Sequence, residues 1–87
     1  MRAISQNGKF DLPYENLAIF VEYENVIARF ENERYLLAQY SSEAKAIKAM
    51  EMLRTKYRKF QEITSENGRY FAFNYPKVFQ FPQDSEV

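Results

Sequence analysis

Cysteine, histidine and tryptophan are missing from this 87-residue sequence, while glycine occurs twice and proline three times. Without cysteine there is no disulfide staple, no thiolate nucleophile and no thiolate metal site. Without histidine the commonest general base and metal ligand are gone as well. Both glycines, Gly8 and Gly68, directly follow an asparagine, so no glycine-rich loop exists to cradle phosphate. Charge of one sign is lacking too. Twelve basic residues balance twelve acidic ones, which leaves no overall field to draw in nucleic acid or anionic lipid. No window approaches the roughly 18 consecutive apolar residues of a membrane-spanning helix, and the opening MRAISQNGKF lacks the apolar run of a signal peptide. A cytoplasmic protein without membrane contact is the expectation.

What the chain does have is aromatic and aliphatic side chains. Aromatics make up 17% of it and hydrophobic residues 46%, well outside the disordered regime, so it should fold. No linker-like stretch interrupts it, and residues 1–87 read as one domain with a polar, loose tail at 83–87. A chain of this size buries only about 60 to 65% of its unfolded surface, so close packing or self-association has to supplement the core.

Hydrophobic periodicity divides the sequence into strands and one helix. The Asn7-Gly8 pair signals a hairpin with a type I′ turn after a strand at about residues 2 to 6. Pro13, with no N–H to donate, suits a strand entry or an edge. NLAIFVEY, VIARFE and RYLLAQY follow as further strands, turned by Glu24-Asn25 and by ENER, and give an antiparallel meander. From Ser42 to Phe60 the period changes. Ile47, Met50, Leu53, Tyr57 and Phe60, spaced by three and four, predict one apolar helix face, with Ser41 or Ser42 as the cap. Residues 61–65 either continue this helix or pair with 69–75 as a hairpin about Asn67-Gly68. The fold class is α+β: an antiparallel meander sheet of four to five strands, one amphipathic helix on a face, and a C-terminal aromatic strand or arm.

Three features invite a functional reading. The first is RYFAFNYPKVFQFP, residues 69–82, with six rings in fourteen residues. Arg69, Phe71, Ala72 and Phe73 coincide with the aromatic segment of RNA recognition motifs, where alternate rings stack on bases. Tyr70 stands where that pattern has glycine, Pro76 falls where an aromatic should close it, and too little chain follows to complete that fold. Phe71, Phe73, Tyr75, Phe79 and Phe81 are instead a candidate interface. They share one strand face, with Phe79 and Phe81 inserting into a neighbouring copy or sealing an edge of their own sheet, the copy being favoured. The second feature is a stripe of Lys45, Lys48, Lys56 and Lys59 beside Met52 on the helix. Residues 42–60 carry six bases against two acids, whereas residues 11–41 carry six acids against two bases. The lysines are candidate contacts for an anion or single-stranded nucleic acid, although a lysine-rich outer face also serves solubility. The third is the set Glu22, Glu24, Glu31 and Glu33, which would have to gather at hairpin ends to work as acid and base or to hold a cation. Solvated turns account for them more simply, so no catalytic, cofactor-binding or metal-ligating residue is assigned and an enzyme is not expected.

The segments MRAISQNGKFDLPYE, LAQYSSEAKAIKAMEMLR and VFQFPQDSEV resemble small proteins encoded by phages and prophages of low-GC Gram-positive bacteria. The resemblance implies a bacterial cytoplasmic setting and an accessory role, and it brings no activity or binding residues to carry over. The expected function is that of a non-enzymatic, self-associating interaction protein with a homo-oligomeric or other protein partner. Single-stranded nucleic-acid binding is the alternative, since strands followed by a basic helix are also the order of small coactivator-type single-strand binders.

Overall fold

The structure, a computed structural model, describes residues 1–67 and 78–87, with backbone alone for residues 60 and 62–67. It opens on a hairpin in which β1 (Arg2–Ile4) runs antiparallel to β2 (Asp11–Pro13). Asn7-Gly8 lies in the connection, yet not as a type I′ turn. Of the two, only Gly8 has a positive φ, +75°, and its N–H reaches the Ser5 carbonyl at 2.9 Å. The cause is Ser5, fully buried, whose hydroxyl accepts the Phe10 N–H at 2.9 Å and donates to Asn7 Oδ1 at 2.7 Å. The side chain thereby takes the Phe10 N–H in place of the Ser5 carbonyl, while the Ser5 N–H still donates to the Phe10 carbonyl at 2.9 Å.

A 3₁₀ turn at Tyr14–Asn16 leads into a meander of β3 (Ala18–Glu22), β4 (Asn25–Phe30) and β5 (Glu33–Gln39). The two-residue turn with both φ positive occurs here, at Glu31 (52°) and Asn32 (69°), because its local twist matches that of the flanking strands. Ladder partners step from Val26↔Ala38 to Ile27↔Leu36, so Leu37 is an inserted residue. The bulge lets consecutive Leu37 and Ala38 both be buried, which strict alternation forbids.

After the meander, α1 (Glu43–Asn67) packs across β3 and β4, and β6 (Val78–Gln80) pairs parallel with β1. The fold is therefore α+β, but among the described residues the strands do not form one meander of four or five. The described strands make two three-stranded sheets, β2-β1-β6 and β3-β4-β5. Pro13 ends β2 without a donor and the 3₁₀ turn redirects the chain, so β3 pairs forward with β4 rather than back with β2. Gln6 joins the sheets: its N–H donates to the Leu37 carbonyl at 2.7 Å, and its Oε1 accepts the Gln39 N–H at 3.1 Å.

Residues 61–65 continue α1, which excludes the hairpin alternative for them. Ser42 is the cap, with its hydroxyl accepting the Lys45 N–H at 3.2 Å. Of the expected stripe Met50 and Leu53 are buried and Tyr57 is half-buried, but Ile47 is 43% exposed, and Ala46 and Ala49 complete the buried face; the Phe60 side chain lies outside the described residues. Hydropathy favours Ile over Ala, but alanine is what lets a helix backbone approach a sheet closely. The polar end of the chain is held as well. Asp84–Glu86 form a 3₁₀ turn, the Pro82 carbonyl accepts the Tyr40 hydroxyl at 2.9 Å and the Gln6 side-chain amide at 3.0 Å, and Asp84 Oδ1 accepts the Ser41 N–H at 2.8 Å. Among the described residues no helix is long and apolar enough to cross a membrane.

Candidate binding surfaces

The aromatic C-terminal segment divides. Phe79 and Phe81 point to one side of β6, as alternation predicts, and their rings meet edge-to-face with centroids 5.2 Å apart. Their destination differs from the favoured expectation of a neighbouring copy. Phe81 is 1% and Phe79 6% exposed, both in the chain's own core, where β6 seals an edge of its own sheet. Phe71, Phe73 and Tyr75 lie outside the described residues.

The helix lysines also divide. Lys48, Lys56 and Lys59 line a shallow groove of about 430 Å³ with Glu51, Met52 and Thr55. Lys45 is drawn off to the C-terminal turn, its Nζ 3.0 Å from the Asp84 carbonyl oxygen and 3.3 Å from Oδ2. Lys56 Nζ sits 6.0 Å from the Phe79 ring centroid, in reach of a cation–π interaction. The acids do not gather. Glu22 and Glu24 lie beside and in the β3–β4 turn while Glu31 and Glu33 lie in and beside the β4–β5 turn, and successive turns of a meander lie at opposite ends of the sheet. Among the described residues no three acidic side chains are placed to share a cation.

One surface was not anticipated from the sequence. Because α1 covers the Ile19, Val21, Val26 and Ala28 side of the meander, the cross-strand row Phe20↔Ile27↔Leu36 lies on the other side, with no helix over it among the described residues. Leu36 is 47% exposed. Ile27 is nonetheless buried, and Arg34 accounts for part of that. It starts on β5 opposite Arg29, yet its guanidinium lies 5.7 Å from the Phe20 centroid on β3 and 3.1 Å from Glu22, so its side chain crosses β4. The apolar run VIA in β4, buried at three successive positions, was the available signal: a strand apolar on both faces is covered on both. At one end of this face Tyr23 is exposed with φ of 56°, a left-handed conformation that costs a bulky residue about 1 to 3 kcal/mol.

A second hollow, of about 400 Å³, lies between α1 and the segment that links the two sheets. Leu17, Ile19 and Met50 line it with apolar surface, the rings of Tyr14 and Tyr57 meet at 4.5 Å, and Glu15 and Arg54 supply opposite charges. Glu15 is held by the N-terminal amine at 2.6 Å. Burial would raise its carboxyl pKa, but the bonds from that amine and from its own backbone, with the charges of the amine and Arg2, bring it below the ordinary value. The Tyr57 hydroxyl is pushed up, first by burial and then by the Glu15 charge. Arg54 is in no ion pair among the described residues. Comparison with protein-family models, curated proteins and solved structures finds no match to this chain.

Proposed function

We propose that this protein is a non-enzymatic interaction module that associates with a second copy of itself, in an accessory role of the phage or prophage type, through the outer face of the β3–β4–β5 sheet. Leu36, 47% exposed in an outward row with half-buried Phe20 and buried Ile27, carries the reading. Charge favours a like partner. Glu24 lies toward one end of this face and Arg29 toward the other, neither in an ion pair among the described residues, so a two-fold apposition sets each copy's Arg29 against the other's Glu24 end. Three strands of about six residues present a face of roughly 300 Å² per copy, below that of a standard interface, so the dimer is weak and reversible. The lack of histidine and cysteine supports the non-enzymatic part. Sedimentation velocity over a concentration series tests this: the weight-average mass should rise with concentration, and Leu36→Glu should hold the chain monomeric. An unchanged series for that variant, or a monomer at every concentration, sinks the proposal.

A second reading, single-stranded nucleic acid along α1, is favoured by the groove shared by Lys48, Lys56 and Lys59, none of them in an ion pair among the described residues. Replacing these three by Gln should flatten the salt dependence of oligonucleotide binding, whereas Lys45→Gln should act on stability through Asp84. No binding at low salt removes this reading.

A further inference from the structure

We propose that the hollow between α1 and the Tyr14–Ile19 segment is a binding site for a small organic monoanion, a carboxylate on an apolar or aromatic body. Its volume of about 400 Å³ falls within the range of small-molecule sites. The chemistry of the lining selects the ligand. Leu17 and Ile19, with buried Met50 behind them, give the smaller apolar part of a lining that is polar elsewhere, and the Tyr14 and Tyr57 rings, at 52° to each other, offer an aromatic wall. Arg54 is the cation: its planar fork matches a carboxylate with two parallel N–H···O bonds, and no acidic partner among the described residues occupies it.

Glu15 sets the charge limit. Its carboxylate is already held by the N-terminal amine, so the hollow carries a net excess of one positive charge, that of Arg54. A monoanion matches this excess. A dianionic phosphate ester brings a second negative charge close to Glu15 with no cation left for it, and a cation meets an acid that is already satisfied. The site is separate from the outer sheet face of the proposed dimer and from the lysine groove, since Tyr14, Glu15 and Arg54 belong to neither.

Phenylacetate, phenylacetamide and phenyl phosphate are the probes, titrated into the full chain while ¹H–¹⁵N shifts are followed. Phenylacetate should give saturable shifts confined to residues 14–19 and 50–57. Phenylacetamide, and phenylacetate with Arg54→Gln, should bind about tenfold or more weakly, while Arg58→Gln binds as the parent chain does. Arg54 is exposed, so its replacement leaves the fold in place. Three results overturn the proposal: no saturable shifts at about 10 mM phenylacetate, equal binding of the neutral amide or of the Arg54→Gln chain, or tighter binding of phenyl phosphate.

Discussion

Tyr40 shows how one side chain holds distant segments together. It is 4% exposed, its hydroxyl donates to the Pro82 carbonyl at 2.9 Å, and burial, then the charges of Asp84 and Glu86, push its pKa up to about 12. The unfolded chain releases this proton near the ordinary value of about 10, so the folded state is the one that keeps it. Its contribution is therefore complete below about pH 10 and declines as pH rises toward 12. Urea midpoints between pH 8 and pH 11.5 should fall, and Tyr40→Phe, less stable at neutral pH by about 1 kcal/mol for the lost hydrogen bond, should show a shallower decline. Equal slopes would show that Tyr40 titrates alike in both states. Leu53, with no exposed surface, tests the helix face. Leu53→Ala should cost about 2 to 5 kcal/mol, whereas Ile47→Ala, at a half-exposed position, should cost under about 1 kcal/mol. From periodicity alone the two positions looked equivalent, and chemical denaturation of the pair separates them.

At the scale of elements, what could be read from the sequence was whatever is local. The helix after Ser42, the strands 18–22, 25–30 and 33–39, and the one-sided burial of Phe79 and Phe81 all follow from spacing within about ten residues. Three outcomes were hidden because they depend on distant partners. Leu37 and Ala38 required a bulge, Ala46 and Ala49 face the sheet only because the helix must come close, and the parallel pairing of β6 with β1 joins residues more than seventy positions apart. Of the candidate sites, the lysine groove was legible as a stripe, except that Lys45 answers to Asp84. The hollow beside Tyr14 was not, because its lining comes from two separate segments. Asp84 illustrates the non-local cap. The Ser41 N–H, with help from Lys45, holds its carboxyl below the ordinary value against the opposing effect of burial. A depressed carboxyl contributes stability above its unfolded pKa, and that stability is lost as pH falls through the folded value. Asp84→Asn should thus lower the thermal midpoint at pH 7, with the gap to the parent chain closing below about pH 4. A gap that persists to pH 2 would assign the loss to packing.

For the whole molecule, the decisive feature is that its two ends are neighbours in one sheet. Ala3 on β1 is opposite Phe79 on β6, the Phe81 N–H donates to the Ile4 carbonyl at 3.0 Å, and the same C-terminal run reaches the β1–β2 connection through Gln6 and the link between β5 and α1 through Tyr40 and Ser41. Sheet β2-β1-β6 thus has its third strand and two of its largest core side chains supplied last. Burial of a phenylalanine is worth about 3 to 5 kcal/mol by truncation to alanine, so two of them represent about 6 to 10 kcal/mol. The whole stability of a chain this size is about 4 to 13 kcal/mol at 0.05 to 0.15 kcal/mol per residue. Removing residues 78–87 should therefore abolish cooperative folding rather than release an intact monomer from an assembly. Near-ultraviolet circular dichroism and amide-proton dispersion should both collapse in the truncated chain, and Phe81→Ala alone should remove a large part of the stability. If residues 1–77 instead kept a sharp thermal transition, β6 would be an appendage, the core would close without Phe79 and Phe81, and an exchange of this strand between copies would become the better explanation of any self-association.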